Sequence, residues 1–261
     1  MVHGSFRFFS GVLGRMTGFH VILPRPQSLF ARTDRRDAPK EKKCLWFFHG
    51  AGDCGEDVLL HTHIGDLADE HDLIVVLPDL ENSFCLDSDG YMRYERYLTE
   101  ELVPWTRELF PVSPRREDWL LGGISMGGYG AARLSLLHPE DWSRVFCLSG
   151  ALDLRYALRF CKVCEIGLPQ GLQARPDFSA HPDWDLFALL ESSVPAGQSY
   201  YLDCGRGDIL HDSSAAFAQA AARRGVPAVL REAEGNHDWD YWRKRLPSAV
   251  FWAVNGEVLP E

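Results

Sequence analysis

No apolar run in this chain of 261 residues approaches the roughly 20 residues needed to cross a bilayer, so a membrane-spanning protein is not expected. Positive charge is scarce. Lys and Arg total 27 against 37 Asp and Glu, a formal net charge of −10, and nucleic-acid affinity is supplied largely by Lys and Arg. A nucleic-acid partner is therefore not expected. The basic run Arg32 to Lys43 also holds Asp34, Asp37 and Glu41 and reads as a solvated loop. Met1 to Gly18 mixes aromatics with Arg7 and Arg15 and lacks the continuous apolar segment and small-residue cleavage site of a secretory signal. A cytoplasmic location follows as an expectation.

There is no internal repeat and no low-complexity linker, so 1–261 is taken as one domain, a size that buries a large core. Cysteine ligand sets are missing too. The seven cysteines are an odd number, and Cys161-x-x-Cys164 has no second pair with ligand spacing. Reduced thiols are expected rather than a metal site. His61-x-His63 is no better, since alternate residues do not share a helix face.

What is present is an alternation of apolar strands and helical patterns. Strands are expected at 19–23, 44–48, 73–77, 119–123, 145–149, 199–203 and 227–231. Helices are expected near 57–70, 94–110, 126–137, 213–224 and 238–252, with Pro247 kinking or restarting the last. Near-continuous apolar strands separated by helices imply an α/β fold with a mainly parallel sheet covered on both faces. The first strand belongs to an antiparallel edge. Residues 151–190 break the rhythm and read either as a wall of the active site or as a surface excursion.

The most informative stretch is Leu120-Leu121-Gly122-Gly123-Ile124-Ser125-Met126-Gly127-Gly128-Tyr129-Gly130. It is Gly-x-Ser-x-Gly between an apolar strand and a helical pattern, the setting of a nucleophile elbow. A serine hydroxyl needs a positioned base. His237 follows the last strand and opens the last helix, where a base can reach the elbow; His211 is the alternative. For the acid, Asp208 sits past a strand end on the loop Gly205-Arg206-Gly207, and Asp203, on the strand itself, is its rival. An oxyanion hole needs two backbone N–H groups. Met126 follows the nucleophile, and His49-Gly50-Ala51-Gly52-Asp53 offers the second, at Ala51 or next at Gly52, with His49 structural.

Four motifs in order, His49–Gly52, Gly123–Gly130, Cys204–Asp208 and Gly235–Trp242, resemble the α/β-hydrolase esterases grouped with tributyrin esterase, cinnamoyl (feruloyl) esterases and S-formylglutathione hydrolase. Ser10–Gly14 and Val21–Pro24 are similar to that family's first hairpin. The resemblance implies Ser125, Asp208 and His237 as triad, Ala51 and Met126 as oxyanion donors, no cofactor, and a small-molecule ester as substrate. Ile124 stands where the formylglutathione branch carries His, which favours the tributyrin and cinnamoyl branch. The loop Asp53-Cys54-Gly55 and the pair Cys161 and Cys164 depart from the family pattern. Short acyl groups of about two to six carbons are expected, since no amphipathic lid or membrane-binding stretch is present. Substrate contacts are expected from Gly50, Gly52, Asp79, Asn82, Phe84 and Trp142; Phe84, Tyr91 and Trp142 could admit an aromatic acyl group, with core packing the commoner role for each. The sequence does not specify an oligomeric state.

Overall fold

The computed structural model describes residues 1–25, 40–88, 92–173, 176–192 and 197–259. Tyr91 and most of the Arg32–Lys43 run lie outside the described residues. An eight-stranded sheet forms the centre: β1 (Val2–Ser10), β2 (Arg15–Leu23), β3 (Cys44–Phe48), β4 (Ile74–Pro78), β5 (Trp119–Ile124), β6 (Arg144–Leu148), β7 (Ser199–Gly205) and β8 (Ala228–Ala233). Their spatial order is β1-β2-β4-β3-β5-β6-β7-β8. From β4 to β8 every neighbouring pair is parallel, whereas β2 runs antiparallel to both β1 and β4. β1 was not among the expected strands. Most of its residues are exposed, so it lacks the buried apolar signature that marks the others.

The strands from β3 to β7 are buried along nearly their whole length and mostly apolar because both sheet faces are covered. Trp46, Phe48 and Leu121 pack into one core and Leu45, Phe47 and Leu120 into the other. The first core is capped by α5 (Met126–Leu137), α8 (Leu186–Ser192) and α9 (His211–Arg223). The second is capped by α1 (Gly55–His61), α2 (Ile64–Glu70) and α10 (Trp239–Asn255). Between β4 and β5, α3 (Tyr94–Arg96) passes through a π-helical stretch into α4 (Val103–Leu109). α6 (Leu154–Val163) and α7 (Gln170–Gln173) lie between β6 and β7.

Two helical expectations change. The pattern at 57–70 divides into α1 and α2 at Thr62–His63. Pro247 does not restart the last helix as a second element, since α10 runs through it. The proline removes one backbone donor, but Tyr241, Trp242, Leu246, Ala249, Val250 and Ala253 are buried on the sheet side, and that packing outweighs the lost bond. No helix among the described residues is long and apolar enough to cross a membrane.

The sheet order reverses beside β3, whose neighbours are β4 on one side and β5 on the other. Loops leaving the carboxyl ends of β3 and β5 therefore diverge to opposite faces and open a crevice between them, the usual ligand position in such sheets.

α5 is fixed from outside by Arg133, which is 1% exposed. Its guanidinium donates to Glu95 Oε2 at 2.8 Å, to the Asp183 carboxylate, and to the main-chain carbonyls of Asp183 and Cys85. It so ties α5 to three separate segments. Arg133→Met should cost about 3–5 kcal/mol of unfolding free energy in a urea titration, because it leaves two carboxylates without their buried cation.

Candidate active site

Ser125 occupies the single-residue turn between β5 and α5, with φ 53° and ψ −115°. A positive φ costs a non-glycine residue about 1–3 kcal/mol, and close backbone packing holds it there. A Cβ on Gly123 would lie 2.2 Å from the Gly127 main chain, and one on Gly127 would lie 2.3 Å from the Phe48 carbonyl. The turn is also sewn to β6: Ser125 N donates to Leu148 O at 3.0 Å and Ala151 N donates to Ser125 O at 2.9 Å.

His237, on the loop between β8 and α10, brings Nε2 to 3.0 Å from Ser125 Oγ. Its Nδ1 lies 3.0 and 3.1 Å from the two carboxylate oxygens of Asp208. The Asp208 side chain is buried. Burial pushes its carboxyl up, but the hydrogen bond and charge of His237, the Ser149 hydroxyl and the Leu210 N–H outweigh this and hold it below the usual value. Trp242 extends the chain of contacts. Its Nε1–H donates to Ser149 Oγ at 2.9 Å, and its ring meets that of His237 edge-on with centroids 5.0 Å apart.

The rivals fall elsewhere. Asp203 accepts from the Tyr241 hydroxyl at 2.6 Å, from Arg245 Nε at 2.8 Å and from the Tyr201 hydroxyl at 3.1 Å. It anchors α10 to β7 and is not hydrogen-bonded to His237. His211 Nε2 is engaged by Glu232. His49 is buried, donates from Nδ1 to Gly50 O and accepts the Leu80 N–H at Nε2. It locks the loop after β3 to the loop after β4.

A cavity of about 100 Å³ opens beside Ser125 and His237. Gly50, Ala51 and Asp53 line it from the β3 loop, Phe84 from the β4 loop, and Leu210 and Trp242 from the β7 loop and α10. Met126 N–H opens α5 and has no carbonyl one turn before it. Gly52 N–H is already donated to Asn82 Oδ1 at 2.7 Å, while Gly50 and Ala51 of the same loop line the cavity.

Several expected substrate contacts do not line this cavity. Trp142 is fully buried in an aromatic cluster, 5.6 Å between centroids from both Trp46 and Trp119. Its volume fills the core under α5 and it does not line the cavity. Asn82 spends its amide bridging Gly52 N and Gly167 O. Asp79 accepts the Gly55 N–H at 3.0 Å and lines a neighbouring groove. From the 151–190 segment, whose individual wall residues the sequence did not single out, Ala157, Phe160, Cys161 and Ile166 line the cavity from α6 and the turn after it. Their signal was in the sequence: Leu154, Ala157, Leu158 and Cys161 recur at helical spacing and are all buried. All seven cysteines are free thiols.

Comparison with known proteins agrees with this architecture. The family model described as Putative esterase matches residues 10–253. The acetyl esterase of Caldicellulosiruptor saccharolyticus is 30% identical over 94% of this chain and 95% of its own length. Among solved structures, the fluorophosphonate-binding serine hydrolase F of Staphylococcus aureus superposes with a TM-score of 0.83 at 26% identity, covering 97% of this chain and 98% of that one. The S-formylglutathione hydrolase of the same organism gives 0.81 at 26% identity, covering 97% and 99%.

Asp53 is half-buried and its carboxyl is pushed up to about 6, first by burial and then by Asp57, against the opposing pull of His61 and His237. An unfolded chain titrates this group at about 3.9. The folded state thus binds the extra proton between about pH 4 and pH 6, and stability falls as pH rises through that window. Asp53→Asn should raise the melting temperature by about 2 °C at pH 8 and leave it nearly unchanged at pH 3.5, as followed by circular dichroism.

Proposed function

The chain belongs to the Esterase family and is a carboxylic ester hydrolase of α/β-hydrolase fold, and we propose that it works through an acyl-serine intermediate on Ser125 with short-chain acyl substrates. The observation that carries the mechanism is the unbroken line Ser125 Oγ–His237 Nε2–His237 Nδ1–Asp208 at 3.0 Å per contact.

In that mechanism His237 Nε2 takes the Ser125 proton as Oγ attacks the ester carbonyl. Asp208 holds Nδ1–H and stabilises the imidazolium. The N–H groups of Met126 and Ala51 receive the oxyanion; each such donor is worth about 2.7–4 kcal/mol in the transition state. His237 then hands the proton to the leaving alcohol oxygen as the tetrahedral intermediate collapses. Water, deprotonated by the same nitrogen, attacks the acyl-serine and releases the carboxylic acid. Every step is proton transfer and acyl transfer, and side chains with main-chain N–H groups suffice.

The acyl preference rests on space. The cavity measures about 100 Å³, whereas a cavity that binds benzene measures about 150 Å³. Two to four acyl carbons fit against Phe84, Phe160 and Ile166. Thioester hydrolysis of S-formylglutathione is the second reading, favoured by the one-carbon acyl group it would require and by the likeness to an S-formylglutathione hydrolase.

Ser125→Ala should retain less than about a thousandth of wild-type turnover with an unchanged melting profile. His237→Ala should be nearly as severe and Asp208→Asn similar or somewhat milder, with Asp203→Asn losing stability rather than kcat. An essential Asp203 with a dispensable Asp208 would overturn the acid assignment. Among p-nitrophenyl esters, acetate and butyrate should exceed palmitate by at least about 100-fold in kcat/KM, a discrimination of about 3 kcal/mol. Faster palmitate turnover would rule out the short-chain reading, and S-formylglutathione outpacing every ester would make the thioester reading the correct one.

A further inference from the structure

We propose that Asp53 reads the charge of the leaving group, so that esters of cationic alcohols are preferred over neutral isosteres of the same shape and over anionic leaving groups. The inference rests on the ester-hydrolase mechanism above and adds to it a specificity-determining side chain.

Asp53 lines the cavity that holds Ser125 and His237, and it also lines an adjoining groove of about 570 Å³ between the β1–β2 hairpin and the loops after β3 and β4. It therefore stands where the two spaces meet. A Cβ placed on Gly50 would lie 3.0 Å from Asp53 Oδ2 and 3.7 Å from the Ser125 Cβ, which puts the carboxylate one residue's width from the nucleophile. The Asp53 N–H donates to Gly50 O at 3.3 Å, a turn that keeps the side chain at the mouth. His237 returns its proton to the leaving oxygen, and Asp53 is close enough to His237 to feel its charge. The leaving group is accordingly the half of the substrate that passes Asp53.

The carboxylate has an opening for a partner. Among the described residues no hydrogen bond or ion pair engages it, whereas its neighbours Asp57 and Asp79 each accept a backbone N–H. A half-buried anion without a partner gains most from an arriving cation. The net charge of −10 draws cations toward the same mouth and repels anions.

The groups facing Asp53 are Asp57 and His61 of α1 and His237 before α10. Across the groove stand Arg7, Arg15, His20, Glu56, Asp79 and Glu81, with Arg15 paired to Glu81. Asp53 titrates near 6, so preference for a cation should be full at pH 8 and decay toward pH 5. A rate change common to both members of a matched ester pair cancels in their ratio.

The test compares acetylcholine with 3,3-dimethylbutyl acetate, which replaces the trimethylammonium by a tert-butyl group of the same shape. At pH 8 and low salt the wild-type kcat/KM ratio should be about five to ten in favour of acetylcholine, and it should fall toward one at pH 5 and in 0.5 M NaCl. Asp53→Asn should bring the ratio to about one at every pH, with Asp53→Ser as a second variant should the first not fold. Turnover of the neutral ester with a wild-type ratio of one or less would overturn charge reading alone. So would a ratio that survives both substitutions. Failure to hydrolyse either ester would overturn the underlying short-acyl reading as well.

Discussion

Backbone contact between the end of β5 and the first turn of α5 is the constraint on which the site depends. Gly123 and Gly127 leave no room for a Cβ against the opposing main chain, and that closeness forces the intervening residue into a left-handed turn. Ser125 therefore projects its hydroxyl from the sheet edge instead of folding it back onto α5. The strain, about 1–3 kcal/mol for such a backbone, is offset by two hydrogen bonds to the β6 strand and its following loop and by a helix that is buried along almost its whole length. Arg133 holds that helix at its far side. The proposed nucleophile is thus rigid because the core around it is rigid.

The other functional groups converge by topology. Reversal of strand order beside β3 directs the β3 loop and the elbow to the same crevice, so Ala51 and Ser125 line one cavity although they are far apart in sequence. β7 and β8 lie side by side at the opposite end, and their loops deliver Asp208 and His237 as a hydrogen-bonded pair. Second contacts then fix each loop: His49 bridges the β3 and β4 loops, Asn82 bridges the β3 loop to Gly167, and Trp242 with Ser149 supports the acid. A site assembled on loops can be accurate when each loop has such a tie.

Elements with one strong physical signature were legible in the sequence. Strands buried on both faces show as unbroken apolar runs, and 44–48 needed no adjustment at either end. The elbow was legible because its glycines answer a steric demand that acts within a few residues. The features that escaped depend on distant partners. β1 is an exposed edge strand paired with β2, so no burial pattern marks it. Trp142 looked like a candidate for substrate because nothing local reveals that Trp46 and Trp119 close around it. Asn82 was placed in the right loop, but its amide is used up by Gly52 and Gly167. α6 was the avoidable omission, since its apolar spacing is helical and its buried stripe faces the cavity.

Asp203 and Asp208 show why residue type and neighbourhood alone do not assign a role. Both are buried acids on one strand and its loop, five positions apart. Asp203 is satisfied by two tyrosine hydroxyls and an arginine, while burial still pushes its carboxyl up. Asp208 instead faces His237 and accepts from the Ser149 hydroxyl and the Leu210 N–H, and its carboxyl is held below the ordinary value. An acid that must remain ionised beside a histidine whose charge comes and goes needs the second environment. Full satisfaction at Asp203 secures α10, and with it the start of the helix from which Trp242 reaches the cavity. The two carboxylates thus differ in what they hold: Asp203 ties α10 to β7, and Asp208 is paired with the imidazole of His237.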